Sequence, residues 1–150
     1  QALIFLSSIK KQMTSQDKML IGFDLQKDQR RLEKAYDDAA GITAKFNLNI
    51  LTRINRELGG KFNLNSFYHK SFYNQSRNRI EMHLVSKHEQ EVKIKSLNKI
   101  FSFKADESIH TENSYKFSLN QIKNLAENSG FRIVRNFTDL RGQFCLTCLH

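Results

Sequence analysis

RIEMHLVSKHEQEVKIKSLNKIFSFKADESIHTENS, residues 79–114, is where the chain departs from helical spacing. Ile80, Met82 and Leu84 alternate with polar neighbours, and Val92, Ile94, Ile100, Phe101 and Phe103 continue an apolar pattern that suits half-buried strands. Phe62, Leu64 and residues 67–73 extend it upstream, so the middle of the chain is expected to be an antiparallel sheet and not a helical bundle. The stretch closes on Glu112 and Ser114. In an extended chain their spacing puts both side chains on one face, where a carboxylate and a hydroxyl can grip one polar ring or amine.

Before the sheet, the signals are α/β in kind. Leu3, Leu6, Ile9 and Met13 fall near helical spacing over residues 2–13. MLIGFDL, residues 19–25, is a short apolar run of the sort that forms a buried parallel strand, with Asp24 near its carboxyl end. Ligands of open α/β sheets gather at such ends, so Asp24 either faces a site or caps the next helix. KDQRRLEKAYDDAA, residues 27–40, predicts a mostly polar helix with Leu32, Ala35, Tyr36 and Ala39 as its apolar stripe, stopped by Gly41. Thr43 is the expected N-cap of a second helix, whose stripe of Leu48, Ile50, Leu51, Ile54 and Leu58 ends at Gly59 and Gly60. Asn47, Asn49 and Asn55 on that helix either line a polar crevice or face water.

After the sheet, SLNQ at residues 118–121 is a capping-box signature, and Ile122, Leu125 and Ala126 give its helix a stripe that Gly130 closes. FRIVRNFTD and QFCLTCLH, joined by a turn holding Gly142, read as a closing strand pair.

Composition narrows the function classes. A length of 150 residues with 39% hydrophobic content and 12 Phe supports a packed core. The net charge of +9 favours acidic partners, but the 24 Lys and Arg are dispersed with no block of like charge, which makes nucleic acid a weak expectation. The rival reading on that basis is a basic binding module in which exposed Tyr68, Phe72 and Tyr73 stack single-stranded nucleic acid. No apolar run reaches membrane-spanning length, so no membrane partner is expected and a cytoplasmic location is the default. Cys145 and Cys148 form a CxxC within a terminal strand, where residues three apart face opposite ways, so structural thiols are expected. Six glycines make no phosphate-cradling loop, and His69, His83, His88, His110 and His150 show no metal-ligand spacing, so no metal is expected. No nucleophile motif is present, and no catalytic side chain is named.

Taken in order, LIGFDLQKD, AYDDAAGITAKFNLNILTRINRELGG, RIEMHL and IHTENSYKF resemble the carboxyl-terminal half of the histidine-specific, S-adenosylmethionine-dependent methyltransferases, which make hercynine in ergothioneine biosynthesis. The resemblance implies an α/β fold, α+β overall: the last part of a class I methyltransferase Rossmann-like sheet, interrupted by a helical and antiparallel substrate-binding insertion. Residues 1–26 would be a helix and the fifth strand of the core, 27–116 the insertion, and 117–150 the last helix and closing strand pair. Tyr36 then matches a tyrosine that helps hold the substrate carboxylate, Glu112 and Ser114 the pair that hydrogen-bonds the imidazole, and Met82 a wall of the imidazole pocket.

The chemistry implied is displacement at a sulfonium methyl by histidine's unprotonated α-amino group, repeated up to three times, with no nucleophilic side chain. The cofactor would be held mainly by a segment preceding Gln1. The chain is therefore expected to be a fragment or a truncated homologue, inactive alone, with a strand edge at MLIGFD that a missing half or a second copy would cover. The same fold acting on another amino acid stays open.

Overall fold

The computed structural model describes residues 1–150 and is a mixed α/β structure with antiparallel sheets. It divides into two compact units, one formed by Gln1–Lys27 with Tyr115–His150 and the other by Asp28–Ser114. No helix is long and apolar enough to cross a membrane.

In the two-segment unit, α1 (Ala2–Lys10) and α4 (Leu119–Asn128) accompany a three-stranded sheet of β1 (Met19–Asp24), β8 (Phe144–Leu149) and β7 (Ile133–Thr138), in that order. The capping box forms as expected: Ser118 accepts from the backbone of Gln121, and Gln121 reaches back to the Ser118 backbone. Leu6, Ala126, Phe131 and Leu149 make one core cluster, and Phe23, Leu25, Ile122 and Cys145 a second. Cys145 is buried and Cys148 half-buried, both as free thiols.

The neighbour of the MLIGFD segment is antiparallel, not parallel as its apolar run suggests. The segment pairs with β8 in the register Met19 opposite Leu149 through Asp24 opposite Phe144, and lies at a sheet edge. Phe23 is buried and Leu20 is 61% exposed within residues 1–150. Asp24 neither caps a helix nor stands free: its carboxylate takes the ammonium groups of Lys27 and of fully buried Lys116, the latter at 2.6 Å.

In the continuous unit, α2 (Gln29–Tyr36) and α3 (Ile42–Leu58) lie with a sheet ordered β2 (Phe67–Asn74), β3 (Arg79–Ser86), β6 (Ser108–Tyr115), and a hairpin of β4 (Gln90–Ile94) and β5 (Lys99–Phe103). α2 stops at Tyr36, short of the expected residue 40, and Asp38 serves the next helix. Asp38 accepts from the backbone N–H groups of Ile42 and Thr43, and Gly41 is the N-cap in a left-handed conformation, so Thr43 lies inside the helix instead of capping it. These hydrogen bonds, that from Thr43 foremost, hold the Asp38 carboxyl down to about 2.

Leu51, Phe62, Phe67, Leu84, Val92 and Ile94 form this unit's larger core. Of the three asparagines in question, Asn49 is exposed, while Asn47 and Asn55 serve the interior. Asn55 acts as a surrogate strand: its Oδ1 accepts from the Phe62 N–H and its Nδ2 donates to the Phe62 carbonyl, each at 2.8 Å. Asn55→Ala leaves both backbone groups without these partners, and a loss of about 2 kcal/mol is expected, read as a lower unfolding midpoint in urea.

Candidate functional site

Tyr36 is the last residue of α2, and the helix is set down by Leu32, which is buried with Ile80 and Met82 while Tyr36 and Tyr73 pack against the same cluster. The sheet register explains Met82: alternation along β3 puts Ile80, Met82 and Leu84 on one face, and Met82 is 2% exposed there. Thr111 of β6 donates its hydroxyl to the Met82 carbonyl at 2.9 Å. Three residues further along β6, Ser114 Oγ lies 2.6 Å from the Tyr36 hydroxyl.

Three of the four residues singled out from sequence are thus gathered in one place, although Tyr36 and Ser114 are 78 positions apart. Glu112 lies two residues before Ser114 on the same strand, exposed, its carboxylate engaged in no hydrogen bond or ion pair; its carbonyl accepts from His110 Nε2 at 3.1 Å. The Tyr36 and Ser114 hydroxyls are in direct contact.

Beneath Tyr36 is a group that sequence reading passed over. His69 of β2 has Nε2 at 2.8 Å from the Tyr36 carbonyl and Nδ1 at 2.9 Å from Asn47 Nδ2, and that same amide nitrogen is 3.1 Å from the His83 carbonyl.

The other face of β3 gathers a second cluster. Arg79 Nη2 is 2.6 Å from Glu81 Oε1, and Asn74 donates to the same oxygen at 3.0 Å. The Arg79 bond foremost holds the Glu81 carboxyl below its usual range, against the opposing effect of burial. His83 Nε2 is 3.5 Å from Glu81 Oε2 and is buried without a hydrogen-bond partner. Burial pushes the His83 imidazole down, the nearby His110 and Lys70 charges add to this, and the Glu81 contact only partly opposes it. The His83 ring stacks on His110 at 4.6 Å and on Phe72 at 5.4 Å.

Sequence spacing gave no hint that Glu81, His83 and His110 place ligand-type atoms within 4.8 Å of one another. The donor set is one a divalent metal accepts, but the geometry is not. Arg79 already neutralises Glu81, and the near-parallel rings, 14° apart, send their in-plane lone pairs side by side where a shared metal needs them to converge.

The stacking surface that a nucleic-acid module needs is also reduced. Tyr68 is 39% exposed, but Phe72 and Tyr73 are half-buried, the former against His83 and the latter bonded to Asn78.

Tyr36, Met82 and Ser114 are thus brought together in a mixed α/β chain, with the exposed Glu112 two residues from Ser114 on the same strand. The comparisons specify the class. The family model for histidine-specific, SAM-dependent methyltransferases matches residues 1–150, and the chain belongs to that family. The histidine N-alpha-methyltransferase of Mycolicibacterium smegmatis is 42% identical over 144 residues, covering 95% of this chain and 44% of the relative. That of Mycobacterium tuberculosis is 38% identical over 143 residues, with the same 95% and 44% coverage. Ergothioneine biosynthesis protein 1 of Schizosaccharomyces pombe is 32% identical over 134 residues, 89% of this chain and 17% of the relative. The chain therefore spans less than half the length of these relatives.

Proposed function

We propose that this chain is the substrate-gripping part of an enzyme that methylates the α-amino nitrogen of histidine. The observation that carries the reading is the Tyr36–Ser114 hydroxyl contact at 2.6 Å beside Met82, since it joins three separate family motifs in one place. On this reading the two-segment unit is the end of a Rossmann-like methyltransferase core and the continuous unit its substrate-binding insertion, with boundaries near residues 26 and 116. The open edge of β1 and exposed Leu20 fit pairing with a preceding cofactor-binding part, or with a second copy.

Histidine binding replaces the hydroxyl contact. Tyr36 turns to the substrate carboxylate, while Ser114 and Glu112 take the imidazole, the carboxylate accepting from a ring N–H and favouring the charged ring. Met82 closes the apolar side of that pocket. S-adenosylmethionine, when bound, supplies a methyl on a sulfonium, held mainly by a segment outside residues 1–150; the six glycines here form no cradle for it. The residues of this chain do the remaining work. They fix the ring and carboxylate so that the unprotonated amine stands in line with the methyl, and the buried Met82 side keeps water away.

The test is a methylation assay on the full-length protein with S-adenosylmethionine and each of the common amino acids. N-methylated histidine is the expected product by mass spectrometry. Transfer to a different amino acid, or none with every acceptor, overturns the assignment, and residues 1–150 alone are expected to be inactive.

A further inference from the structure

We infer that His69 is a positioning residue for the histidine site, acting through the backbone of Tyr36; the inference rests on the reading of Tyr36 as a substrate contact. Tyr36 ends α2, so its carbonyl is among those that the helix itself cannot satisfy. His69 Nε2 supplies the missing donor at 2.8 Å. The phenol is carried on the same residue, so the placement of its hydroxyl depends on whether this last turn stays wound.

The hydrogen bonds also fix which nitrogen of the ring carries the proton. The His83 carbonyl can only accept, so the Asn47 side chain must present its NH₂ there, at 3.1 Å. The second hydrogen of that NH₂ then points at His69 Nδ1, 2.9 Å away, which must accept. The ring proton is left on Nε2, where it meets the Tyr36 carbonyl. Asn47 is 4% exposed, so water does not compete for this arrangement. A carbonyl on β3, an amide on α3, a ring on β2 and the end of α2 thus form one chain of donors and acceptors leading to Tyr36.

The experiment is a double-mutant cycle in the full-length enzyme, reading histidine affinity by calorimetry. His69→Phe keeps a ring but removes both nitrogens, and about tenfold weaker binding is expected, the size of one hydrogen bond. Tyr36→Phe is expected to cost a similar factor, and the double variant no more than the worse single one, because His69 acts only through Tyr36. Additive losses overturn the inference while leaving Tyr36 as a contact. No effect of Tyr36→Phe overturns the reading of Tyr36 and this inference with it. Should His69→Phe fail to fold, the comparison is His69→Gln, whose amide nitrogen reaches the Nε2 position and is expected to bind histidine as the wild type does, with His69→Asn, whose shorter amide does not and is expected to bind about tenfold less tightly. Equal affinities for these two overturn it as well. In the unaltered protein, long-range ¹⁵N–¹H correlation is expected to show His69 as the Nε2–H tautomer, and the Nδ1–H form would contradict the network.

Discussion

Glu112→Ala in the full-length enzyme is expected to weaken histidine binding about a hundredfold, the upper range of what a charge-assisted hydrogen bond contributes. Glu112 has nothing to lose inside the protein. Its carboxylate is exposed and makes no hydrogen bond or ion pair, so its removal costs the fold little and any loss of affinity is a loss of ligand contact. The neighbouring positions are committed elsewhere: Thr111 to the Met82 carbonyl, Ser114 to Tyr36. Glu112→Gln separates charge from shape, since an amide oxygen still accepts from a ring N–H but does not favour the charged imidazole; an intermediate loss is expected. Cys145→Ser is the control. Cys145 is completely buried in a cluster of the other unit, and histidine affinity is expected to be nearly unchanged. Calorimetric titrations of histidine that return equal affinities for the wild type and Glu112→Ala would remove the imidazole role of this residue.

How far the sequence could be read depends on whether a feature is local. The α3 stripe at Leu48, Leu51 and Ile54 and the Ser118 capping box each rest on residues within a few positions, and each is found. Ile50 and Leu58 are exposed, however, and β3 buries Arg79 and Glu81 as well as Ile80, Met82 and Leu84, so it is not the half-buried strand that alternation predicts. The apolar content of MLIGFD predicts a strand but does not encode the direction of its neighbour, which is antiparallel. The hairpin turns also carry a local signal. Ser76-Arg77-Asn78-Arg79 and Ser96-Leu97-Asn98-Lys99 share a pattern, and both asparagines adopt a left-handed φ of 48°, which asparagine tolerates better than most residues. Glu81 and His83 alternate and so had to share a face, but adding His110 required knowing that β6 lies beside β3. His69 was out of reach for a stronger reason. Its partners are a side chain on α3 and a backbone carbonyl at the end of α2, and a carbonyl leaves no mark in a sequence.

Asp24→Ala is expected to lower the stability of the two-segment unit by about 2 kcal/mol, because it removes a charge-assisted hydrogen bond from a fully buried ammonium. Lys116 is fully buried, with its Nζ 2.6 Å from Asp24 Oδ2, and Lys27 holds the other oxygen. The sign of the pH dependence follows from these contacts. Partial burial works to raise the Asp24 carboxyl, but the hydrogen bonds from Lys116 and then Lys27 outweigh it and leave the group below its ordinary value of 3.8. A carboxyl depressed in the folded state contributes stability that is complete above the unfolded value and is lost as pH falls through the folded one. The urea midpoints of wild type and Asp24→Ala should therefore differ at neutral pH and draw together below 3.8. A gap that persists unchanged into that range would mean that the loss comes from packing and not from charge. Adding Lys116→Met to Asp24→Ala removes the ammonium that Asp24 served while keeping most of its buried stem, and is expected to recover part of the lost stability. If the double variant is as weak as the single, the ion pair is not what holds residue 116 in the core.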